Sequence, residues 1–193
     1  LSQGDAGPAN WRAYHERMKT ATTRLWMALN LARRGEEGPG FCFESLDDAN
    51  VFDCIDVFAH DREDIWGLAV NIDAAAAGDV DPRALMERAL HVADWAKCPL
   101  LFGSRRQPDF PIDDQIDLLR PGDVATYCFQ GQGEPIVQDG HVRDAVWEAR
   151  RRGVLFDSAH GMGSFSFAVA EAAIRDGFLP DTISTDFYRR HVE

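Results

Sequence analysis

The chain has 193 residues, 45% of them hydrophobic and 27% charged, and its formal net charge is −12 at pH 7. This composition is typical of a globular protein with a substantial core, and we predict a single domain over residues 1–193. The acidic excess excludes a nucleic-acid-binding surface, because phosphate contacts require clustered Lys and Arg. No apolar run is long enough to span a bilayer and no signal peptide is evident, so we expect a cytoplasmic protein without membrane contact.

The first half of the chain predicts alternating helices and strands. In order, these are a helix over 11–20, a strand over 24–31, a loosely helical stretch over 46–59, a strand over 65–72 and a helix that Pro82 opens. The strands are mostly apolar, which is typical of parallel strands buried on both faces.

The second half continues this alternation. It predicts, in order, a strand over 99–102, a short helix over 113–120, a strand over 124–129, a glycine-rich loop to 140, a helix over 141–151, a strand over 154–156, a helix over 168–175 and a strand over 182–186. Strands that alternate with helices indicate a parallel sheet with right-handed crossovers. By this pattern alone, a barrel and an open wound sheet fit equally well.

Residues 153–186 carry the densest functional signal. The strand over 154–156 ends at Asp157 and His160, and the last strand ends at Asp186. In α/β folds the residues that do chemistry lie at the carboxyl ends of parallel strands. These three side chains are therefore candidates for a site.

Two motifs in this region resemble a known family. They are Asp-x-x-His-Gly-x-Gly-Ser-Phe-Ser-Phe at residues 157–167 and Gly-Phe-x-Pro-Asp-Thr-Ile-Ser-Thr-Asp at residues 177–186. Both resemble the dihydroorotase-like deacetylase branch of the amidohydrolase superfamily, and a weaker likeness extends upstream through residues 118–124 to residues 5–7. The resemblance implies an α/β fold, a (β/α)8 TIM-type barrel. Residues 5–7 resemble the end of the family's second strand, so the first strand is expected to be missing. The chain is also short for a whole barrel, which usually needs about 250 residues.

The resemblance also implies hydrolysis of an amide or ester bond by metal-activated water. The family holds its metals with His-x-His on the first strand, a carboxylated Lys on the fourth, and one His each on the fifth and sixth. No His-x-His occurs in this chain, and Ala69, Gly103 and Tyr127 stand at the other three positions. A methyl group or a glycine cannot bind a metal, and a phenol binds it poorly. We therefore expect either no metal or one weakly bound divalent metal, zinc by preference, with Asp186 as a ligand.

Five residues are candidates for the site. The resemblance makes Asp186 the expected general base and His160 its catalytic companion. Arg105 and Arg106, which follow the fifth strand, and Tyr127 are expected to bind substrate. All but Tyr127 also have a simpler interpretation. Asp186 would cap backbone amides, His160 would be an ordinary loop histidine, and the two arginines would be solvated.

Cys128 is a further candidate, as a nucleophile with His160 as its base. A buried, inert thiol is the favoured interpretation, since nothing in the sequence lowers its pKa. All four cysteines lack the spacing of a zinc or redox motif, and we expect reduced thiols.

Three interpretations of the chain follow, two of them functional. The first is a diverged hydrolase of an acylated small molecule that works without the binuclear metal site. The second is a catalytically inactive pseudoenzyme that binds a small carboxylic acid or serves a partner subunit. The third is an incomplete sequence, which an intact mass well above 21.5 kDa would reveal. A barrel without one strand exposes two sheet edges, so we also expect a homo-oligomer.

Overall fold

The computed structural model describes residues 4–37, 40–161 and 163–186. It has two compact units, Leu1–Gly103 and Ser104–Glu193, which we describe separately. The single-domain assignment made from the sequence stays a prediction.

The first unit contains a parallel sheet of three strands in the order β1-β2-β3, with β1 at Met27–Asn30, β2 at Ile65–Asn71 and β3 at Leu100–Gly103. Its helices are α1 (Trp11–Lys19), α2 (Val51–Asp61), α3 (Ala74–Ala77) and α4 (Pro82–Ala96). The segment over 5–7, which resembles the end of a barrel strand, lies beside β1, where the carbonyl of Ala6 accepts the N–H of Asn30 at 2.8 Å.

Helix α4 shows why the sequence folds as predicted here. Asp81 caps its first turn by accepting the N–H of Arg83 at 2.9 Å, and Pro82 fits the first helical position because no partner is needed there for its missing N–H. The helix buries one apolar stripe, formed by Leu85, Met86, Ala89, Val92 and Ala93. The predicted helix is confirmed.

The second unit contains helices α5 (Ile112–Asp117), α6 (Asp144–Arg152) and α7 (Phe167–Arg175). Strands β4 (Val124–Ala125) and β7 (Leu155–Phe156) pair in parallel, and β5 (Val137–Gln138) and β6 (His141–Val142) form an antiparallel hairpin. Asp157 and Thr182 extend the parallel pairing by one bridge. The core centres on Phe178, which makes edge-to-face contacts with Phe156 and Trp147.

Three sequence predictions need correction. The strand predicted over 124–129 ends at Ala125, because Tyr127 has a φ of +57° and a strand cannot continue through that conformation. The helix predicted over 141–151 begins at Asp144, since His141 pairs with Gln138 in the hairpin instead. The last strand, predicted over 182–186, is reduced to the single bridge at Thr182.

Within these described ranges, no helix combines the length and the apolar character needed to cross a bilayer. All four cysteines are free thiols.

Candidate active site

The candidate site lies in the second unit and is built around Asp157, directly after β7. Asp157 is only 3% exposed. Its carboxylate accepts three hydroxyl hydrogen bonds, from Thr126 at 3.0 Å, Thr182 at 2.7 Å and Ser184 at 2.6 Å. A buried carboxylate is stable only when such donors replace its water. Asp157 therefore joins the segment after β4 to the segment at 182–184.

Ser184 connects this carboxylate to His160. Its carbonyl oxygen accepts the Nδ1–H of His160 at 2.9 Å and the main-chain N–H of the same residue at 3.2 Å. Because a carbonyl can only accept, Nδ1 carries the proton and Nε2 of the neutral ring has a free lone pair. His160 is exposed, so this nitrogen can accept a hydrogen bond from a substrate.

Asp186 lies against the loop that follows His160. A Cβ placed on Gly161 would come within 2.7 Å of the Asp186 Cβ and 2.8 Å of its Cγ. Only a glycine at position 161 lets the carboxylate approach the main chain so closely. The structure thus brings the two predicted catalytic residues, His160 and Asp186, to one loop.

The backbone is strained around this loop. Tyr127, Ala159 and Asp186 have φ values of +57°, +37° and +48°, in a region that side chains with a Cβ rarely adopt. Such strain costs about 1–3 kcal/mol per residue and clusters at functional sites. Here it turns the chain sharply at the strand ends that carry the candidate residues.

The predicted substrate-binding residues have protein partners. Arg105 is 8% exposed and makes a two-pronged ion pair with Asp109, with Nε to Oδ1 at 3.0 Å and NH2 to Oδ2 at 2.7 Å. The Arg106 guanidinium carbon lies 5.9 Å from the centre of the Tyr127 ring, and its NH1 donates to Gln132 at 3.3 Å. The role in substrate binding stays a prediction for all three.

Cys128 is buried in the structure, with 4% of its surface exposed. Burial raises the pKa of its thiol strongly, and the nearby carboxylate of Asp157 raises the pKa further. A thiol that stays protonated is a poor nucleophile. The interpretation of Cys128 as an inert thiol is the one that this environment favours.

Two features of the site were not predicted from the sequence. One is the central position of Asp157. The sequence signal that could have found it is the place of Asp157 directly after a strand. The other is an aromatic wall around Phe165, whose ring centre lies 6.4 Å from that of His160, 5.9 Å from that of Phe129 and 5.1 Å from that of Phe167. The alternating Phe-Ser-Phe at 165–167 was its sequence signal.

Ala69 and Gly103, which the resemblance aligns with two of the family's metal ligands, lie close to neighbouring residues of the first unit. A Cβ on Gly4 would lie 2.7 Å from the Cβ of Ala69, so the chain at Gly4 covers the place that a longer side chain would need. A Cβ on Gly103 would lie 3.0–3.2 Å from the side chain of Asn71. Across residues 4–37, 40–161 and 163–186, no three His, Cys, Asp or Glu side chains converge as metal ligands. A stable metal site needs about three or four protein ligands.

Comparison with known proteins places this geometry in a family. No family model matches the chain. A deacetylase from Agrobacterium fabrum is 32% identical over 197 aligned positions, which cover 97% of this chain and 47% of that protein. A deacetylase from Brucella anthropi is 31% identical with the same coverage, and one from Enterococcus faecalis is 42% identical over 84 positions.

Solved structures agree with these relatives. A dihydroorotase superposes with a TM-score of 0.87 at 31% identity, over 99% of this chain and 53% of its own. An adenine deaminase superposes with a TM-score of 0.87 at 26% identity, over 96% of this chain and 50% of its own. The chain belongs to the amidohydrolase superfamily. The predicted α/β fold of the TIM-barrel type is confirmed, and this amidohydrolase chain spans about half the length of the relatives it matches.

Proposed function

We propose that the chain forms part of an amidohydrolase-like enzyme that hydrolyses an acylated small molecule. Its likeness to proteins named deacetylases supports the reaction class. The observation that carries the proposal is that Asp186 lies against Gly161, next to His160, whose imidazole is oriented by Ser184.

The chemistry assigned to these side chains is general acid–base catalysis. The Asp186 carboxylate takes a proton from water as the water oxygen forms a bond to the acyl carbon. The bond from the acyl carbon to the amine nitrogen or alcohol oxygen then breaks, and the proton passes from Asp186 to that leaving group. The products are a carboxylic acid and a free amine or alcohol.

His160 has the complementary role of positioning the substrate. With its Nδ1–H held by the Ser184 carbonyl, Nε2 accepts a hydrogen bond from an N–H or O–H of the substrate. Phe165, beside the imidazole, offers an apolar surface to the rest of that molecule. We infer a substrate that combines an acyl group, a polar hydrogen and an apolar part.

We further propose that this enzyme works without the family's binuclear metal site and holds at most one divalent metal, zinc by preference, through Asp186. The absence of a ligating atom at Ala69 and Gly103 supports this proposal. Elemental mass spectrometry on protein purified without chelator or metal-affinity resin tests it. We expect no more than one metal per chain, and a stoichiometry of two would contradict the proposal.

The hydrolase proposal itself is tested by turnover of a panel of N-acyl amino acids, O-acyl compounds and lactones, assayed by release of the acid. We expect turnover of at least one acylated compound that bears an apolar group. An intact protein that turns over no member of the panel, with or without added zinc, would contradict it.

The lack of a ligating side chain at Ala69 and Gly103 also supports a second function, a pseudoenzyme that binds a small carboxylic acid or serves a partner subunit. Protein without turnover should then gain thermal stability with members of a carboxylate library, or behave as an oligomer in solution. Unchanged melting temperatures together with a monomeric mass would exclude this alternative.

A further inference from the structure

The hydrogen bonds of Asp157 point to a role beyond holding the sheet. A buried carboxylate is costly, and apolar side chains of similar size would stabilise the same place at least as well. Asp157 instead makes three charge-assisted hydrogen bonds of 2.6–3.0 Å. Bonds of this kind are short and directional, so they fix the positions of their donors.

Two of the three donors, Thr182 and Ser184, belong to the segment that carries Asp186. Thr182 and Ser184 are two positions apart, which puts both hydroxyls on the same side of an extended chain. Asp186 follows two positions later, with a φ of +48° that turns the chain away from the extended conformation. Main-chain hydrogen bonds, from Ser158 to Thr182 at 3.1 Å and from His160 to Ser184 at 3.2 Å, keep the two segments in register.

Ser184 connects the carboxylate of Asp157 to the imidazole of His160. Its hydroxyl donates to Asp157, while its carbonyl accepts the Nδ1–H of His160. If the hydroxyl bond is lost, the Ser184 carbonyl keeps its hydrogen bond from the main-chain N–H of His160, but the peptide group is held less firmly and the carbonyl can turn away from Nδ1. The Nδ1–H tautomer of His160 is then less strongly preferred.

We propose that Asp157 is a positioning residue that acts through Ser184 to hold His160 in its Nδ1–H tautomer. In terms of activity the inference rests on the proposed function, because the tautomer matters for turnover only if Nε2 receives the substrate. The tautomer itself is measurable whether or not the protein is a hydrolase.

Nitrogen NMR of the His160 side chain in the intact protein tests the inference. Ser184→Ala removes the link from Asp157 to the Ser184 peptide, and Thr126→Val removes a hydrogen bond to the same carboxylate oxygen from the opposite side. The wild type and Thr126→Val should show a protonated Nδ1 and an unprotonated Nε2. Ser184→Ala should show a mixture of tautomers, and Ser184→Thr, which keeps a hydroxyl, should restore the wild-type spectrum.

The same variants separate this inference from the proposed function. Where hydrolysis is measured, Ser184→Ala should lower kcat about 10- to 100-fold with KM changed less than about twofold, since a small misplacement of a catalytic group acts mainly on the chemical step. Absence of hydrolysis contradicts the proposed function but leaves the NMR result decisive for Asp157. An unchanged tautomer in Ser184→Ala would overturn the positioning role. So would a loss of the Nδ1–H tautomer in Thr126→Val as large as that in Ser184→Ala.

Discussion

The Nδ1 atom of His160 lies 2.9 Å from the carbonyl oxygen of Ser184. This contact decides which nitrogen of the imidazole is available, because the carbonyl takes the proton-bearing one. The ring therefore presents a lone pair at Nε2, on an exposed residue beside the aromatic ring of Phe165. The predictions below follow from this arrangement and from its surroundings.

Replacing Asp186 by Asn should abolish most of the hydrolysis. The amide keeps the size of the carboxylate but cannot take a proton from water, and loss of a general base typically costs about 10²- to 10⁴-fold in rate. Turnover of the acylated panel gives the measurement. Asp139→Asn is the matched control, because Asp139 also has a positive φ but lies in the turn between β5 and β6. Equal turnover in the Asp186 variant and the control would remove Asp186 from the mechanism.

Gly161→Ala should lower activity by pushing the Asp186 carboxylate out of place. The added methyl group would lie 2.7–2.8 Å from Asp186 Cβ and Cγ, closer than atoms can approach. We expect a loss of about 1–3 kcal/mol in the free energy of unfolding, as for other overpacked sites, and a larger relative loss of kcat. Chemical denaturation and steady-state kinetics measure the two effects.

Gly163→Ala serves as the control for that substitution. Gly163 has a φ of +76°, and no described atom lies within 4 Å of its added Cβ, so only backbone strain is introduced. A loss of activity in Gly163→Ala as large as that in Gly161→Ala would show that loop strain, and not displacement of Asp186, is responsible.

Arg105→Ala should destabilise the second unit. The guanidinium is 8% exposed and holds Asp109 with two hydrogen bonds. Removing one partner of a buried pair usually costs about 3–5 kcal/mol, but Asp109 is 50% exposed, and solvent reduces the expected loss to about 1–2 kcal/mol. Arg175→Ala, which breaks an exposed pair with Glu171, should leave the melting temperature almost unchanged. If Arg105→Ala melts like the wild type and instead raises KM, the predicted role in substrate binding holds.

The stability of the second unit should fall in acid through Asp176. Hydrogen bonds from His141 and from the main-chain N–H of Val142 lower the pKa of Asp176 below its usual value. A carboxyl with a lowered folded pKa contributes stability above its unfolded pKa of about 3.9, and that contribution is lost as the pH falls through the folded value. Asp176→Asn should therefore melt below the wild type at pH 7, and the difference should shrink as the pH falls below about 3.9. A difference that does not shrink in acid, or that Asp139→Asn reproduces, would contradict this assignment.

Cys128→Ala should retain hydrolytic activity, because burial keeps the Cys128 thiol protonated near neutral pH. Thiol reagents should label the native protein slowly. Half-buried Cys42, whose pKa burial raises to about 11, should react before Cys54, whose pKa is raised to about 12. Mass spectrometry of partially labelled protein measures the order. A loss of turnover in the Cys128 variant with an unchanged melting temperature would revive the nucleophile hypothesis.

The sequence predicts the elements well where local and long-range preferences agree. Helix α4 has an Asp cap, a proline at its first position and one apolar stripe, and it forms where expected. The strand predicted through Tyr127 fails, because its apolar character says nothing of the positive φ that turns the chain there. His141 likewise joins a hairpin, although the sequence predicts a helix that starts at this residue.

The candidate site was predictable in its residues but not in its connections. Strand-end position and motif identify His160 and Asp186. Neither indicates that Asp157 accepts hydroxyls from positions 126, 182 and 184, because the choice of partners depends on the register of distant segments. The same limit applies to Arg105, whose partner Asp109 is four residues away in a loop without a regular period.

The hydrogen bonds to Asp157 also bear on the order in which the protein folds. Their donors are separated from Asp157 by 31, 25 and 27 residues along the chain. Contacts of such long range require closing large loops, and they form after the local helices. Segment 182–186 is joined to β7 and the residues after it by one bridge, by main-chain hydrogen bonds and by these side chains, all of them contacts of long range. We therefore expect His160 and Asp186 to acquire their working positions near the end of folding, after helices α6 and α7 have formed.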